Sequence, residues 1–284
     1  AQYMVNVQGR LPGRRCVILG SGDVGLIMAR RLTLEGATVV AVYEAKSEPT
    51  GLPRNISQCL DDFGIPLYLS HTVTKVFGDE RVEAIEIAQV DGEMKPIVGT
   101  EQRIECDCVI VAVGLIPENE LAETLGAEIS NTTRGPKVDQ TFQTTIPGLF
   151  ACGNCVHVHD LVDYVTQSGR VAGLSAAQYA QGERRIGRIT HVCPSDDLLY
   201  SVPQFIDAEM ANEAFTIYFR SRGTHQNVVV RLTQSGKVLA ESKYPVVRSQ
   251  QMQAIGVKAT NASFDPYAPL SLELAMRQSN MGEE

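Results

Sequence analysis

The sequence predicts an α/β fold, with a Rossmann-like three-layer domain near its start and an antiparallel, β-sandwich-like domain at its C-terminus. The first observation is a strand, glycine turn, helix and strand in succession over residues 14–44. The second is the continued alternation of buried strands and helices, which is typical of a parallel sheet covered by helices. The third is a run of short, evenly spaced strands after residue 183, which favours a small sandwich.

Composition narrows the possible function classes. The chain has 284 residues, of which 44% are hydrophobic and 20% charged, a balance typical of globular proteins. A formal net charge of -8 argues against binding to nucleic acid or to anionic membranes. No segment resembles a membrane span or a signal peptide, and the seven cysteines have unrelated spacings. These features predict a cytoplasmic protein without a disulfide framework.

A glycine-rich turn follows the first predicted strand and precedes a helix that ends at Gly36. The turn comprises Gly20, Ser21, Gly22, Asp23, Val24 and Gly25. Gly20 permits the tight turn, Gly22 allows a pyrophosphate to approach the backbone, and Gly25 lets the helix pack close to the sheet. The N–H groups at the start of the helix would then hold the phosphates. The strand and helix on either side of this turn predict a dinucleotide site.

Glu44 ends the second strand, 19 residues beyond Gly25. A carboxylate at this position can accept hydrogen bonds from the two hydroxyls of an adenosine ribose, and it repels a 2′-phosphate. The sequence therefore favours NAD over NADP. Lys46 and Arg54 lie nearby and could weaken this preference, but we expect them to be solvated loop charges.

The rest of the first 182 residues predicts a third strand, an antiparallel meander over residues 71–106, and a buried strand ending at Gly114. A turn, a short strand and a glycine follow over residues 144–154. A long helix with many small residues is predicted over residues 161–180, where close packing against a sheet or a cofactor is possible.

Together these motifs resemble the pyridine nucleotide-disulfide oxidoreductase superfamily, whose members bind FAD and NAD(P)H on two dinucleotide domains. Residues 20–25 with Glu44 are similar to its NAD(P)H fingerprint. Residues 109–117 are similar to the strand that leads back to the FAD domain, and residues 147–154 to the late FAD motif. Similar segments occur in a bacterial group of FAD-dependent NAD(P)H oxidoreductases.

The resemblance implies NAD(H) and FAD as cofactors and adds Gly114, Gly153 and Asn154 to the cofactor-binding residues. Asn154 stands where the family usually has Asp, so a hydrogen bond to flavin would remain without the charge. The implied domains are an NAD(P)H-binding domain over residues 1–115 and the C-terminal part of an FAD-binding domain over residues 116–182. Residues 183–284 would form a small β domain for docking or oligomerisation.

The resemblance also implies a function. The expected activity is hydride transfer from NADH to FAD and on to an unidentified small-molecule or protein acceptor. The family has a further glycine fingerprint for FAD ahead of the NAD motif, and this sequence shows none before Gly20. We therefore expect a fragment, or a subunit whose partner or second copy supplies the remaining FAD site. The alternative is a non-catalytic NAD-binding or docking subunit of a larger flavoprotein complex.

Candidate reactive residues follow the late FAD motif. His157 and His159 could transfer a proton near the flavin, or they could be polar loop residues. Asp160 is expected to cap the following helix. Cys152 and Cys155 form the only CxxC, and a helix N-terminus near Cys155 would lower its pKa; the alternative is ordinary packing.

Cys106 and Cys108 are separated by one residue within a predicted strand and are expected to point to the same face. Packing in the core explains such a pair. A metal site would need two more ligands at suitable spacing, and none is predicted.

Overall fold

The computed structural model describes residues 1–182, 187–208, 214–258 and 264–277. The chain divides into two compact units, Ala1–Gly114 and Leu115–Glu284. The predicted fold class is confirmed, since the first unit contains a parallel sheet with helices and the second contains two largely antiparallel sheets. The expected boundary between residues 182 and 183 falls inside the second unit.

The first unit is built on two sheets. Its elements in chain order are α1 (Gln2–Asn6), β1 (Arg15–Leu19), α2 (Asp23–Leu34), β2 (Thr38–Glu44), α3 (Pro53–Cys59), a 3-10 helix (Asp61–Phe63), β3 (Leu67–Leu69), β4 (His71–Phe77), β5 (Ala84–Gln89), β6 (Gln102–Glu105) and β7 (Cys108–Val111). Parallel strands form the first sheet in the order β3-β2-β1-β7, and the meander β4-β5-β6 forms the second.

Hydrophobic clusters cover both faces of the parallel sheet. Alternate residues of β1 point to opposite faces, so Ile18 packs with Leu26 and Leu32 of α2 while Val17 packs with Ile85 of the meander. A strand buried on both faces needs a continuous apolar run, which is what β1 and β2 provide. The sheet thereby fixes the glycine turn at the carboxyl end of β1.

Cys106 and Cys108 do not share a face, so that prediction is wrong. β6 ends at Glu105 and β7 begins at Cys108, which means that the chain passes from one sheet to the other between the two cysteines. Cys106 packs with Ile85 on the meander side, whereas Cys108 packs against the cluster that contains Cys16 on the α2 side.

The second unit begins with short, irregular segments and one long helix, followed by strands. Its elements are α4 (Glu120–Thr124), a 3-10 helix (Gly153–Cys155), α5 (Val162–Ala180), β8 (Ile189–Pro194), β9 (Leu198–Val202), β10 (Phe205–Asp207), β11 (Phe215–Ser221), β12 (His225–Gln234), β13 (Lys237–Val247), β14 (Met252–Val257) and β15 (Leu270–Met276). One sheet has the order β10-β8-β15-β12-β13 and the other β14-β11-β9.

The two sheets of the second unit share one apolar core, as a sandwich requires. Ile217 and Phe219 of β11 pack with Val230 of β12 and Leu272 of β15. All strand pairs are antiparallel except β8 with β15. The sequence patterns predict strands over residues 214–220, 227–232, 237–240 and 252–257, which correspond to β11 to β14, but they give no signal for β8, β9, β10 and β15.

A separate cluster ties the residues before α5 to the strands. Val138 and Val156 pack with Tyr200 and Tyr218 of β9 and β11. Residues 115–182 and the sandwich therefore have a common core. None of the helices in the described parts of the chain combines the length and the apolar character needed to cross a membrane.

Candidate functional site

Two glycines of the predicted dinucleotide turn are required by the packing of the chain itself. Gly20 has φ +105°, and a Cβ there would lie 2.3 Å from the carbonyl oxygen of Ala112. A Cβ on Gly25 would lie 2.6 Å from the carbonyl oxygen of Gly20. Both distances are impossible for a real Cβ atom. Residues 20 and 25 must therefore be glycine for β1, β7 and α2 to meet as they do.

Gly22 is different, because nothing in the chain requires a glycine there. Its φ of -66° suits any residue, and the nearest atom to an added Cβ is Thr50 Oγ1 at 3.8 Å. Gly22 is also the N-cap of α2, which has no side-chain cap. The N–H groups of the first turn of α2 therefore have no intrahelical partner, and they border a position where a side chain is absent. This arrangement can hold an anion such as a diphosphate.

Glu44 lies beside the turn but is held by the chain. Its Oε2 accepts hydrogen bonds from Ser21 N at 3.0 Å and Ser21 Oγ at 2.7 Å, and its Oε1 accepts one from Lys46 N at 3.0 Å. Burial opposes ionisation, but these hydrogen bonds and one from Thr50 outweigh it and lower the pKa of the carboxyl group. Glu44 is therefore a fixed negative charge at the end of β2.

The loop between β2 and α3 packs over the glycine turn, which the sequence patterns did not indicate. Asp23 Oδ1 accepts hydrogen bonds from Leu52 N and Asn55 Nδ2, both at 2.8 Å. Thr50 N donates to Ser21 Oγ at 2.9 Å. Gly51 is required here, since its Cβ would lie 2.7 Å from the carbonyl oxygen of Ser21. The only sequence signal was a glycine and a proline close together after an acidic strand end.

The remaining predicted residues of the first unit lie at its surface. Gly114 follows β7 with φ +112° and has no atom within 4 Å of an added Cβ, so its backbone requires glycine but its surroundings are open. Lys46 and Arg54 are both exposed. Val24 lies in the first turn of α2 with 63% of its surface exposed.

In the second unit, hydrogen bonds hold the late glycine motif in place. Gly153 has φ +71°, and its N–H donates to Ser168 Oγ of α5 at 3.0 Å. Asn154 Oδ1 accepts a hydrogen bond from His159 N at 3.1 Å and lies 3.3 Å from His159 Nδ1. The Asn154 side chain is otherwise exposed, so its Nδ2 can still donate to a ligand.

The thiol pair of this segment lacks the predicted activation. Cys155 ends the 3-10 helix, seven residues before α5 begins, and its Sγ donates to Cys152 O at 2.9 Å. Burial raises the pKa of the Cys155 thiol, so the expected lowering is wrong. Cys152 is exposed, and both thiols are free. Over the described residues, no three His, Cys, Asp or Glu side chains are grouped so as to hold a metal ion.

His157 and His159 lie side by side with ring centroids 4.1 Å apart. His157 is completely buried between Tyr200 and Tyr218, and neither of its ring nitrogens has a hydrogen-bond partner. Burial, with smaller contributions from His159 and Arg220, lowers the pKa of His157 to about 3. Its imidazole is therefore neutral near pH 7. Burial also lowers the pKa of His159, which is 8% exposed.

Asp160 does not cap α5, contrary to the expectation. The N-cap is Leu161, and no side chain caps the helix. Asp160 Oδ1 instead accepts a hydrogen bond from Arg220 Nη2 at 2.6 Å, and its Oδ2 accepts one from Met252 N at 2.5 Å. Arg220 also donates to the carbonyl oxygen of Gln250 at 2.7 Å. The sandwich thus fixes the end of the segment that carries Asn154 and both histidines.

Comparison with known proteins identifies the family. Residues 4–183 match the family described as pyridine nucleotide-disulphide oxidoreductase. An NADH oxidase of Methanocaldococcus jannaschii is 31% identical over 178 residues, which cover 60% of this chain and 35% of that protein. The small chain of a glutamate synthase [NADPH] of Mycobacterium tuberculosis is 27% identical over 190 residues, covering 60% of this chain and 38% of that one. The chain thus spans little more than a third of these relatives.

Solved structures support the same fold. The thioredoxin reductase of T. acidophilum aligns with a TM-score of 0.51 and 24% identity, over 60% of this chain and 53% of that one. The thioredoxin reductase of Lactococcus lactis aligns with a TM-score of 0.52 and 18% identity, over 60% of this chain and 54% of that one. These likenesses concern the fold. With a family match over more than half of its residues, this chain belongs to the pyridine nucleotide-disulphide oxidoreductase family.

Proposed function

We propose that this chain is the NADH-binding part of a flavin-dependent oxidoreductase, which passes hydride from NADH through FAD to an acceptor. The observation that carries the proposal is the open backbone at Gly22. A glycine that packing does not require, at an uncapped helix N-terminus, is explained by a ligand that approaches the backbone. When both cofactors are bound, they supply the hydride chemistry, and the protein supplies position and electrostatics.

Each unit would contribute its own residues. In the first unit, the N–H groups beside Gly22 and Gly25 would bind the diphosphate. The ionised Glu44 would disfavour the extra phosphate of NADPH. In the second unit, Gly153 and the free Nδ2 of Asn154 would contact FAD.

Of the two histidines, His159 is the better candidate for proton transfer. Its Nδ1 lies 3.3 Å from Oδ1 of the exposed Asn154, although its Nε2 is buried, whereas both ring nitrogens of His157 are buried without a partner and its pKa is about 3. His157 would instead stabilise the segment that carries Asn154 by packing between Tyr200 and Tyr218.

A second candidate is a non-catalytic NAD-binding subunit of a larger flavoprotein complex. The names of two relatives favour a role alongside another protein. One relative, described above, is named the small chain of a glutamate synthase. Another, from Salmonella agona, is named a nitric oxide reductase FlRd-NAD(+) reductase and is 29% identical over 154 residues. The matched residues cover 38% of the first protein and 37% of the second. In this alternative the acceptor and the remaining FAD site belong to the partner.

Two measurements test these proposals. Titration of the purified chain with NADH, followed by nicotinamide fluorescence, should show micromolar affinity, with NADPH clearly weaker, and absence of NADH binding would contradict both candidates. Turnover of NADH by the full-length protein that contains this chain, with added FAD and ferricyanide as acceptor, separates them: turnover by that protein alone supports the oxidoreductase, whereas NADH binding without turnover until a partner protein is added supports the subunit.

A further inference from the structure

Two cysteines of the first unit lie next to each other on parallel strands. Cys16 of β1 and Cys108 of β7 are direct partners in the register of the sheet. Neighbouring strands lie about 4.8 Å apart, and disulfide-bonded cysteines have Cα atoms about 4.4–6.8 Å apart. Both side chains belong to the cluster on the α2 face, so the two sulfurs lie on the same side of the sheet.

The surroundings give the two thiols different properties. Cys16 is completely buried, and its Sγ lies 3.6 Å from the carbonyl oxygen of Gly13. Cys108 is only partly buried, at the start of its strand. The neighbouring Cys16 thiol lowers the pKa of Cys108, and the same contact raises the pKa of Cys16. Cys108 is therefore the more accessible and the more acidic of the two thiols.

We propose that Cys16 and Cys108 form a reversible intramolecular disulfide when the chain meets hydrogen peroxide, which makes the pair a redox modification site. The Cys108 thiolate attacks one peroxide oxygen, the O–O bond breaks, and the departing hydroxide takes a proton to become water. The resulting sulfenic acid is attacked by the Cys16 sulfur. The S–S bond forms, the S–O bond breaks, and the hydroxyl group leaves with the Cys16 proton as a second water.

The position of the pair makes this modification separate from nucleotide binding. Cys16 lies four residues before Gly20, about 13 Å from the glycine turn at about 3.3 Å per residue. Dithiothreitol should reduce the bond again.

The test is peptide mapping of the full chain after treatment with a small excess of hydrogen peroxide, denaturation and alkylation. We expect a mass lower by two hydrogen atoms and a tryptic peptide of residues 16–30 linked to residues 104–134, both reversed by dithiothreitol. Cys106 falls on the same tryptic peptide as Cys108. The variant Cys106→Ala assigns the link, because it should keep the disulfide while Cys108→Ser abolishes it.

The wild-type result alone can overturn the proposal, so a variant that fails to fold leaves the test intact. Singly oxidised Cys108 with Cys16 still open to alkylation would contradict it, as would unchanged thiols after peroxide. A link that disappears in Cys106→Ala would also contradict it. NADH affinity should be the same before and after oxidation, so failure here and failure of the proposed function can be told apart.

Discussion

Asp160 and Arg220 form a partly buried ion pair at 2.6 Å between residues sixty positions apart in the chain. The Arg220 side chain is 16% exposed and the Asp160 side chain 31%. Arg220 lies on β11 of the sandwich, while Asp160 follows the segment with Asn154, His157 and His159. The sandwich therefore has an internal role in holding a segment that belongs to the family-matched part of the chain.

Replacing Arg220 should destabilise the second unit and loosen this segment. In Arg220→Met, Asp160 loses its charged partner while it remains partly buried, which should cost about 2–3 kcal/mol of unfolding free energy. The measurement is urea unfolding, combined with hydrogen exchange over residues 153–160, which should become faster.

Arg231→Met is the matched control, because Arg231 pairs with Glu241 on the same sandwich with side chains 42% and 34% exposed. Its loss should cost less than about 1 kcal/mol and leave exchange over residues 153–160 unchanged. Equal effects of the two variants would show that the Asp160 pair has no special role.

His157 should make stability depend on pH. Its pKa is lowered to about 3 from an ordinary value of 6.5. Between these two pH values the histidine is protonated in the unfolded chain and neutral in the folded chain. The contribution of neutral His157 to the free energy of unfolding is fully present above pH 6.5 and is lost as the pH falls toward 3. By pH 5 the loss should reach about 2 kcal/mol.

Unfolding titrations at pH 7 and pH 5 check this expectation. His157→Gln removes the titrating group, so the difference between the two pH values should shrink by about 2 kcal/mol, whatever the variant costs at pH 7. The exposed His191→Gln is the control and should keep the wild-type difference. An unchanged difference in His157→Gln would refute the assignment.

Features whose residues lie close together in the sequence could be predicted from it, and features that depend on distant residues could not. The glycine turn was predictable because strand, turn, helix and acid all lie within residues 14–44, and each glycine has a local reason. The position of Asp160 just before a helix predicts a helix cap. Its true partner, Arg220, is sixty residues away in the chain, and nothing near Asp160 in the sequence indicates it. Cys106 and Cys108 were assigned to one face because the pattern could not show that the chain changes sheets between them.

Glu44 should set the choice between NADH and NADPH. Glu44→Gln removes the negative charge and keeps the size of the side chain, although the amide cannot accept from both Ser21 and Lys46. We expect the preference for NADH over NADPH to fall by about tenfold, or about 1.4 kcal/mol. Parallel titrations with both nucleotides measure it. Glu48→Gln, an exposed carboxylate on the same loop, should leave the preference unchanged.

A comparison of Gly22→Ala with Gly25→Ala tests the central claim most directly. A Cβ at residue 25 would meet Gly20 O at 2.6 Å, so Gly25→Ala should destabilise the first unit and weaken binding through misfolding. A Cβ at residue 22 has 3.8 Å to its nearest neighbour, so Gly22→Ala should unfold like wild type.

The deciding measurement is therefore NADH affinity of a Gly22→Ala chain whose urea midpoint matches wild type. Our account predicts a loss of at least about tenfold in affinity, because the added methyl group occupies the place where the diphosphate meets the backbone. Unchanged affinity in this stable variant would contradict the account.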